Sequence, residues 1–285
     1  MNPVASQIGS LAIRWYGVMV ALGFLSGFHL LQHRARKGGF GAGPAADLTL
    51  LAMLSGIAGG RLLYVLMNLD EFTSPARSTL GNLIETVRID HGGLVFYGGL
   101  LAAFAALFIT CRRKSWSCHT VGDLFAPALP LGQAFGRIGC FLNGCCFGRP
   151  WPHAFGVRYP AAVSDPSGRL VVSSVMEVQR GKDLLPPGAT ACLPVFPVQL
   201  VFAGMDLTIC VALLLIERRR RSRGQLFPLY LLFYTAGRFV LEFARGDYVK
   251  TVGPLTPAQV ICLALLPLGA VWLVAVRRQD AQRMR

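Results

Sequence analysis

Apolar residues along the chain fall into seven long runs, separated by short segments that contain charges, glycine or proline. The runs cover residues 15–32, 45–67, 93–110, 121–146, 196–216, 226–243 and 257–276. Because an α-helix rises about 1.5 Å per residue, about 20 apolar residues cross the hydrocarbon core of a bilayer. The pattern therefore predicts an all-α integral membrane protein, a bundle of seven transmembrane helices.

The composition supports this fold class. The mean hydropathy is +0.50, and 53% of the 285 residues are hydrophobic while 15% are charged. We expect one polytopic membrane domain over residues 1–285, embedded in the bilayer. The one sizeable polar insertion, residues 149–195, is rich in Pro, Gly and Ser and has a strand-like patch at residues 170–178. We expect it to form a small external (periplasmic) head between the fourth and fifth helices.

Basic residues cluster at alternate ends of the predicted helices. The clusters are Arg34, Arg36 and Lys37; Arg112, Arg113 and Lys114; Arg218 to Arg221 with Arg223; and Arg277, Arg278, Arg283 and Arg285. The positive-inside rule then predicts a multi-pass protein with its N-terminus outside and its C-terminus in the cytoplasm. The net charge of +14 fits this topology and contact with anionic lipid. Nucleic-acid binding is not predicted, because it would need a basic soluble domain with interleaved aromatic residues.

Arg61, Arg137 and Arg238 each lie inside a different apolar run. A permanently charged guanidinium within a membrane needs a partner that holds it. Counting helical rise from the predicted cytoplasmic ends places all three roughly 18 to 24 Å deep, in the outer half of the membrane. Tyr16 and Tyr97 begin the first and third helices and fall in the same layer. The sequence therefore predicts an anion site built from several helices.

The segment GRIGCFLNGCCFG, residues 136–148, places Arg137 near Asn143 among four glycines. Unwound backbone at membrane depth is tolerated only where it surrounds a cavity. The glycines alone could equally form a seam for close helix packing, but that interpretation leaves the arginine unexplained.

Cys140, Cys145 and Cys146 lie in the same segment and are open to several interpretations. They could be redox-active or bind a metal, but a disulfide between the adjacent Cys145 and Cys146 would be strained. We favour small thiols that pack a glycine-rich helix, and we predict neither a metal nor a cofactor.

The segment GRFVLEFARGD, residues 237–247, places Arg238 and Glu242 at i and i+4. In isolation this spacing predicts an intrahelical ion pair. Arg245 and Arg137 add positive charge that Glu242 cannot balance. Since a planar guanidinium matches phosphate oxygens bidentately, a phospholipid headgroup is the expected counter-ion.

Together these motifs resemble the prolipoprotein diacylglyceryl transferase family over nearly the whole chain. The residues that carry the resemblance are RWYG with Tyr16, GGRLLY with Arg61, GGLVFYGG around Tyr97, DLFAPALPLG from Asp123, GRIG and FLNG with Gly148, and RFVLEFAR with Arg238, Glu242 and Arg245. Singly, GRIG or GG would be a weak motif; the ordered series is specific.

The resemblance implies an enzyme of the bacterial cytoplasmic (inner) membrane. It would transfer the sn-1,2-diacylglyceryl group of phosphatidylglycerol to the lipobox cysteine thiol of prolipoprotein signal peptides, releasing glycerol phosphate. The catalytic residues that it implies, or that we add from their chemistry, are Arg137, Arg238, Tyr97, Tyr16 and Glu242. The expected substrate-binding residues are Arg61, Arg245, Asn143, Gly148, Gly98 and Gly99.

The chain departs from the family pattern at several positions. Tyr97 stands where many members have histidine, Cys140 stands where asparagine is usual, and FPVQLVF at residues 196–202 replaces an HPSQLYE-like run. The general base therefore stays open. Two other functions are compatible with these departures: a phospholipid-binding or translocating protein without catalysis, and a thiol oxidoreductase that uses the three cysteines. Neither of them requires three arginines at one depth.

Overall fold

The computed structural model describes residues 3–8, 11–73, 78–88, 93–164, 169–219, 224–247 and 253–283. The chain divides into two compact units, one formed by residues 1–30 with 122–285 and the other by residues 31–121. Each unit is described by itself.

The described chain is mainly helical. Its elements in chain order are β1 (Val4–Ile8), β2 (Leu11–Arg14), α1 (Trp15–Lys37), α2 (Ala42–Met67), α3 (Leu69–Phe72), α4 (Thr79–Val87), α5 (Phe96–Arg113), α6 (Cys118–Phe125), α7 (Ala128–Asn143), β3 (Ala162–Ser164), β4 (Leu170–Val172), α8 (Ser174–Gly181), α9 (Val198–Arg219), α10 (Leu226–Glu242) and α11 (Pro257–Arg283). The strands form two antiparallel hairpins, β1 with β2 and β3 with β4, and the described residues contain no closed sheet.

Each of the seven apolar runs is helical for most of its length, and five helices are long and apolar enough to cross a membrane. These are α1, α2, α5, α9 and the segment Pro257–Gln279 of α11. The fourth run is divided into α6 and α7 at Ala126 and Pro127, since proline cannot donate the backbone hydrogen bond that a continuous helix needs. The sixth run, α10, has 17 residues and is about 25 Å long. That these two runs also cross the membrane stays a prediction.

The unit of residues 31–121 contains a close crossing of α2 and α5. A Cβ added at Gly98 would collide with the carbonyl oxygen of Gly59 and lie 2.5 Å from the Cβ of Leu63. One added at Gly99 would lie 2.8 Å from the carbonyl oxygen of Gly56. Glycine at these positions lets the two backbones approach, as is common for small residues in membrane helix interfaces.

In the other unit, Asp123 caps the start of α10. Its Oδ1 accepts hydrogen bonds from the backbone N–H groups of Leu226 at 2.8 Å and Phe227 at 3.1 Å, and its Oδ2 accepts one from Gly224 at 2.6 Å. The first backbone N–H groups of a helix have no partner within the helix, so this buried carboxylate satisfies them. The cap fixes α10, and with it Arg238 and Glu242.

The insertion between α7 and α9 contains β3, β4 and α8 and has an apolar core of its own. The buried members of this core are Phe147, Tyr159, Val175, Met176, Cys192 and Val195. The strand-like pattern over residues 170–178 is right only for Leu170–Val172. From there Ser173 begins a helix, because its hydroxyl accepts a hydrogen bond from Met176 N at 3.3 Å and so caps α8.

Candidate functional site

Two arginines of the unit formed by residues 1–30 and 122–285 lie against one aromatic ring. The guanidinium carbon of Arg137, on α7, is 4.6 Å from the centre of the Phe202 ring, and that of Arg238, on α10, is 5.2 Å from it. Phe202, on α9, is only 1% exposed. The negative face of an aromatic ring attracts cations, which helps it hold two like charges near one another. Three helices therefore bring together two of the predicted site residues.

The guanidinium groups of this pair retain unused hydrogen-bond donors. Arg137 forms no hydrogen bond or ion pair with the described residues. Arg238 Nη2 lies 3.3 Å from Glu242 Oε2, which confirms the predicted i, i+4 ion pair, while Arg238 Nη1 is buried and has no hydrogen-bond partner among the described residues. A guanidinium offers five N–H donors, so the pair can bind a planar or tetrahedral anion.

Glu242 is a buried carboxylate shared by two arginines. Its Oε2 lies 3.3 Å from Arg238 Nη2 and 3.8 Å from Arg245 Nη1, and its Oε1 accepts a hydrogen bond from Thr256 Oγ1 at 3.3 Å. Because Oε2 forms no hydrogen bond with the described residues, its attraction to both arginines is electrostatic. Glu242 therefore lies near both arginines and offsets part of their positive charge.

Arg245 is neutralised by a residue that the sequence analysis did not single out. Its Nε and Nη2 donate to the two carboxylate oxygens of Asp247 at 3.0 and 2.7 Å. Burial opposes the charged form, but this bidentate pair outweighs it and raises the pKa of Arg245. Arg245 is thus less available for a ligand than Arg137.

Gly148 fixes the backbone beside Arg245. Its N–H donates to Phe196 O at 3.0 Å, and it forms an isolated antiparallel bridge with Arg245. A Cβ at Gly148 would lie 2.5 Å from Phe196 O and 3.1 Å from Ala244 O, so any other residue would displace backbone. The predicted substrate-binding role of Gly148 stays a prediction, since the structure explains the glycine by close packing.

Tyr16 packs against α7, the helix that carries Arg137, and Asn143 ends that helix. A Cβ added at Gly139 of α7 would be 3.3 Å from Tyr16 Cδ2, so the start of α1 packs against the helix that carries Arg137. Tyr16 is 44% exposed. Asn143 is the last residue of α7, directly before Gly144, which has a φ of 73°. Their chemical roles stay predictions.

Arg61, Tyr97, Gly98 and Gly99 belong to the other compact unit. Arg61 donates from Nε to Thr86 O at 2.9 Å, from Nη2 to Glu85 O at 2.7 Å and from Nη1 to Gly93 O at 3.1 Å. These bonds hold the end of α4 and the segment before α5. Tyr97, in the first turn of α5, is 46% exposed, while the two glycines form the α2–α5 crossing. That these residues share a layer with Arg137 and Arg238 stays a prediction.

Sequence reasoning missed two residues that hold the end of α7, Gln199 of α9 and Tyr159 of the insertion. Gln199 Nε2 donates to Cys145 O at 2.8 Å, and Tyr159 Oη donates to Phe141 O at 3.0 Å, so both hold the chain around the end of α7. Burial raises the pKa of Tyr159, which keeps its hydroxyl a neutral donor. The i, i+3 spacing of Gln199 and Phe202 places them on one helix face, and this spacing within FPVQLVF could have indicated them.

Asp206 lies one turn beyond Phe202 on α9. It is 0% exposed, and neither carboxylate oxygen has a hydrogen-bond partner among the described residues. A buried polar group without such a partner is rare in proteins and often marks a functional site. An ionisable residue inside an apolar helix is expected to face protein and not lipid, and the complete burial of Asp206 agrees with this.

The sulfur atoms of Cys140, Cys145 and Cys146 all lie within 4.8 Å of one another. All three residues are partly exposed, and all eight cysteines of the chain are free thiols. Among the described residues, Cys140, Cys145 and Cys146 form a group whose sulfur atoms are close enough together to hold a metal ion.

Comparison with known proteins gives a consistent result. The sequence model of the family described as "Prolipoprotein diacylglyceryl transferase" matches residues 3–275. A protein of Clostridium tetani named "Phosphatidylglycerol--prolipoprotein diacylglyceryl transferase" is 30% identical over 272 residues, covering 94% of this chain and 95% of that protein. A protein of the same name from Nitratidesulfovibrio vulgaris is 32% identical over 281 residues, covering 96% and 94%. A protein of Clostridium perfringens named "Phosphatidylglycerol--prolipoprotein diacylglyceryl transferase 2" is 27% identical over 283 residues, covering 99% of this chain and 98% of that protein.

Proposed function

The chain belongs to the prolipoprotein diacylglyceryl transferase family, and we propose that its Arg137 and Arg238 bind the phosphate of the lipid substrate. As a member of this family, the protein is an enzyme that transfers a diacylglyceryl group from phosphatidylglycerol to prolipoproteins. The observation that carries this proposal is the placement of both guanidinium groups against Phe202, where they retain unused hydrogen-bond donors. A phosphodiester offers the oxygen acceptors that such a pair can bind.

The chemistry is a displacement at the glycerol carbon that bears the phosphate. The thiolate sulfur of the lipobox cysteine forms a bond to this carbon, the carbon–oxygen bond breaks, and glycerol phosphate leaves with the bonding electrons. Negative charge grows on the leaving phosphate, so fixed arginines in a site with little water stabilise the transition state more than the bound lipid. The thiol proton is lost before or during the attack.

The other site residues support this reaction in different ways. We assign Glu242 to orienting Arg238 and Arg245, since its carboxylate lies 3.3 Å from the first and 3.8 Å from the second. Tyr16 and Tyr97 are assigned to positioning the headgroup or assisting proton transfer. A tyrosine has an ordinary pKa near 10, so it is a weak base at neutral pH unless nearby arginines lower that pKa. Asn143 and Gly148 are assigned to the walls of the lipid site, and substrate binding by Arg61, Gly98 and Gly99 stays a prediction from the sequence.

We extend the proposal to the topology of the protein in the bacterial membrane. Basic residues end α1, α5 and α9, as the sequence predicts for cytoplasmic helix ends. With α7 and α10 also crossing, the bundle has seven transmembrane helices, its N-terminus lies outside and its C-terminus lies in the cytoplasm. Residues 149–195 then form a periplasmic head, on the side from which a prolipoprotein signal peptide presents its cysteine.

The experiment is transfer of labelled diacylglyceryl from phosphatidylglycerol vesicles to a lipobox peptide. Arg137→Ala and Arg238→Ala should each lower the rate about 100-fold or more, since removing one donor to developing negative charge typically costs about 10²–10³. Arg137→Lys keeps the charge but not the planar fork of donors, so its transfer rate should lie between those of the wild type and Arg137→Ala. Arg219→Ala, an exposed basic residue at the end of α9, is the matched control and should retain full activity. Full activity in either alanine variant would remove the phosphate-binding role.

A further inference from the structure

The thiols of Cys140, Cys145 and Cys146 converge at the end of α7, the helix that carries Arg137, and the proposed reaction gives them no role. Their sulfur atoms lie within 4.8 Å of one another. Ligands around one thiolate-bound ion of the zinc class lie about 4 Å apart, since each metal–sulfur bond is about 2.3 Å long. The three sulfur atoms therefore need little movement to share one ion.

The backbone explains how three cysteines can face one point. Side chains of consecutive residues in an extended chain point to opposite sides, which would separate Cys145 from Cys146. Here Gly144 has a φ of 73° and Cys146 a φ of 57°, so the chain turns back over the end of α7. The Cys145 N–H donates to Cys140 O at 3.1 Å, and Gln199 Nε2 holds Cys145 O at 2.8 Å. The arrangement is therefore held by α7 and α9 together.

The surroundings suit thiolates that bind a cation. Arg137 lies three residues before Cys140 on α7, so the two side chains share a helix face. Three thiolates around one divalent cation carry a net negative charge, which the positive charge of Arg137 offsets. The partial exposure of all three residues gives an ion a path to the sulfur atoms.

We propose that Cys140, Cys145 and Cys146 bind one zinc-class cation, and that the fourth coordination position takes the acceptor thiol of the prolipoprotein. Sites with three protein ligands and one open position are typical of catalytic zinc, whereas structural sites use four protein ligands. A coordinated thiol loses its proton to solvent. It then forms the sulfur–carbon bond as the carbon–oxygen bond to phosphate breaks, and the metal stays with the three cysteines.

This inference rests on the proposed function, because it assigns the means by which the acceptor thiol is ionised. It also addresses the absence of an assigned general base, since Tyr97 stands where many members of the family have histidine. A disulfide is a poorer account of the cluster, because any pairing of three thiols leaves one of them over.

The first test uses Co²⁺ as a spectroscopic substitute for zinc on the full-length, reduced, metal-free protein in detergent. We expect a thiolate-to-cobalt absorption band that saturates at one equivalent. Cys140→Ser, Cys145→Ser and Cys146→Ser should each weaken or abolish the band. Cys210→Ser, which removes a buried thiol from α9, is the matched control and should keep it. A wild-type protein without a saturating band, or a band that survives all three substitutions, overturns the site.

The second test adds a lipobox peptide to the Co²⁺-loaded protein without lipid. A peptide with cysteine should shift the band, and the same peptide with serine at that position should not. Equal spectra with both peptides overturn the assignment of the fourth position. These spectra are recorded without lipid transfer, so they distinguish the metal site from the proposed phosphate site. If Arg137→Ala loses transferase activity but keeps the cobalt band, both the phosphate site and the metal site are supported.

Metal removal completes the test. The metal-depleted enzyme should transfer the diacylglyceryl group about 30-fold more slowly, because a free thiol with a pKa near 8.5 is only about 3% ionised at neutral pH. Zn²⁺ should restore the rate in the wild type and in Cys210→Ser but not in Cys146→Ser. Unchanged transfer after complete metal removal would contradict the proposed role of the ion.

Discussion

Phe202 is the residue that makes a site out of two separate arginines. Arg137 and Arg238 would repel one another in a medium of low dielectric constant, where charges interact strongly. The ring lies within 4.6 and 5.2 Å of their guanidinium carbons, and Glu242 attracts the second of them. The pair is therefore fixed before a lipid arrives, which lowers the cost of organising it in the transition state.

Phe202→Leu tests this positioning role. The substitution keeps an apolar side chain but removes the ring face, whose attraction for each cation amounts to about 0.5–2 kcal/mol. We expect transfer to fall roughly 3-fold to 30-fold, since about 1.4 kcal/mol corresponds to a factor of ten.

The control for that substitution is Phe233→Leu, which removes an exposed ring from α10. It should leave the rate unchanged. If Phe202→Leu lowers only the thermal stability of the protein and not the rate per folded molecule, the ring supports the fold and not the arginine pair.

At the residue scale, the sequence predicts what depends on spacing within one helix. The Arg238–Glu242 pair follows from i, i+4 and is present at 3.3 Å. The contact of both arginines with Phe202 depends on the packing of α7, α9 and α10, which no local pattern encodes. The convergence of the three thiols depends on a positive φ at Cys146, which sequence alone does not indicate for a cysteine.

Among the elements, the crossing of α2 and α5 depends on glycine. Gly98→Ala would place a methyl group against Gly59 O and 2.5 Å from Leu63 Cβ. We expect it to lower the free energy of unfolding by about 1–3 kcal/mol, the usual cost of overpacking. Thermal or denaturant unfolding in detergent measures this.

Gly204→Ala is the matched control, because Gly204 is an exposed position inside α9 where a Cβ meets no heavy atom within 4 Å. It should leave stability unchanged or raise it slightly, since alanine favours helix more than glycine. Equal stability of the two variants would show that the crossing tolerates a side chain.

The cap of α10 by Asp123 gives a second prediction at this scale. Asp123→Ala leaves three backbone N–H groups without their acceptor, so we expect a loss of about 1–2 kcal/mol in stability. Asp70→Ala, at an exposed position in α3, is the control. A loss no greater than that of Asp70→Ala would mean that water replaces the carboxylate at no cost.

The elements themselves are largely predictable from hydrophobic periodicity. All seven apolar runs contain helices, and α2 ends at Met67 as the pattern predicts. The break of the fourth run at Pro127 was missed, because the surrounding residues are apolar throughout. The change from strand to helix at Ser173 was missed as well, since a cap depends on one hydroxyl and not on periodicity.

For the whole molecule, the proposed topology makes a prediction about sidedness. In spheroplasts, trypsin should cut the chain at Arg169, an exposed residue of the proposed periplasmic head. A fluorescent protein fused after Arg283 should fluoresce, since it would fold in the cytoplasm. In inside-out vesicles the head should be protected and the fusion should be digested. The reverse pattern would invert the topology.

The central claim is that the two arginines bind the phosphate of the lipid substrate, and native mass spectrometry of the detergent-solubilised protein tests it most directly. With phosphatidylglycerol added, the wild type and Arg219→Ala should retain bound lipid at energies at which Arg137→Ala and Arg238→Ala have released it. Diacylglycerol, which has the acyl chains but no phosphate, should be retained equally weakly by all four proteins. If the two alanine variants keep phosphatidylglycerol as firmly as the wild type, the arginine pair does not bind the headgroup.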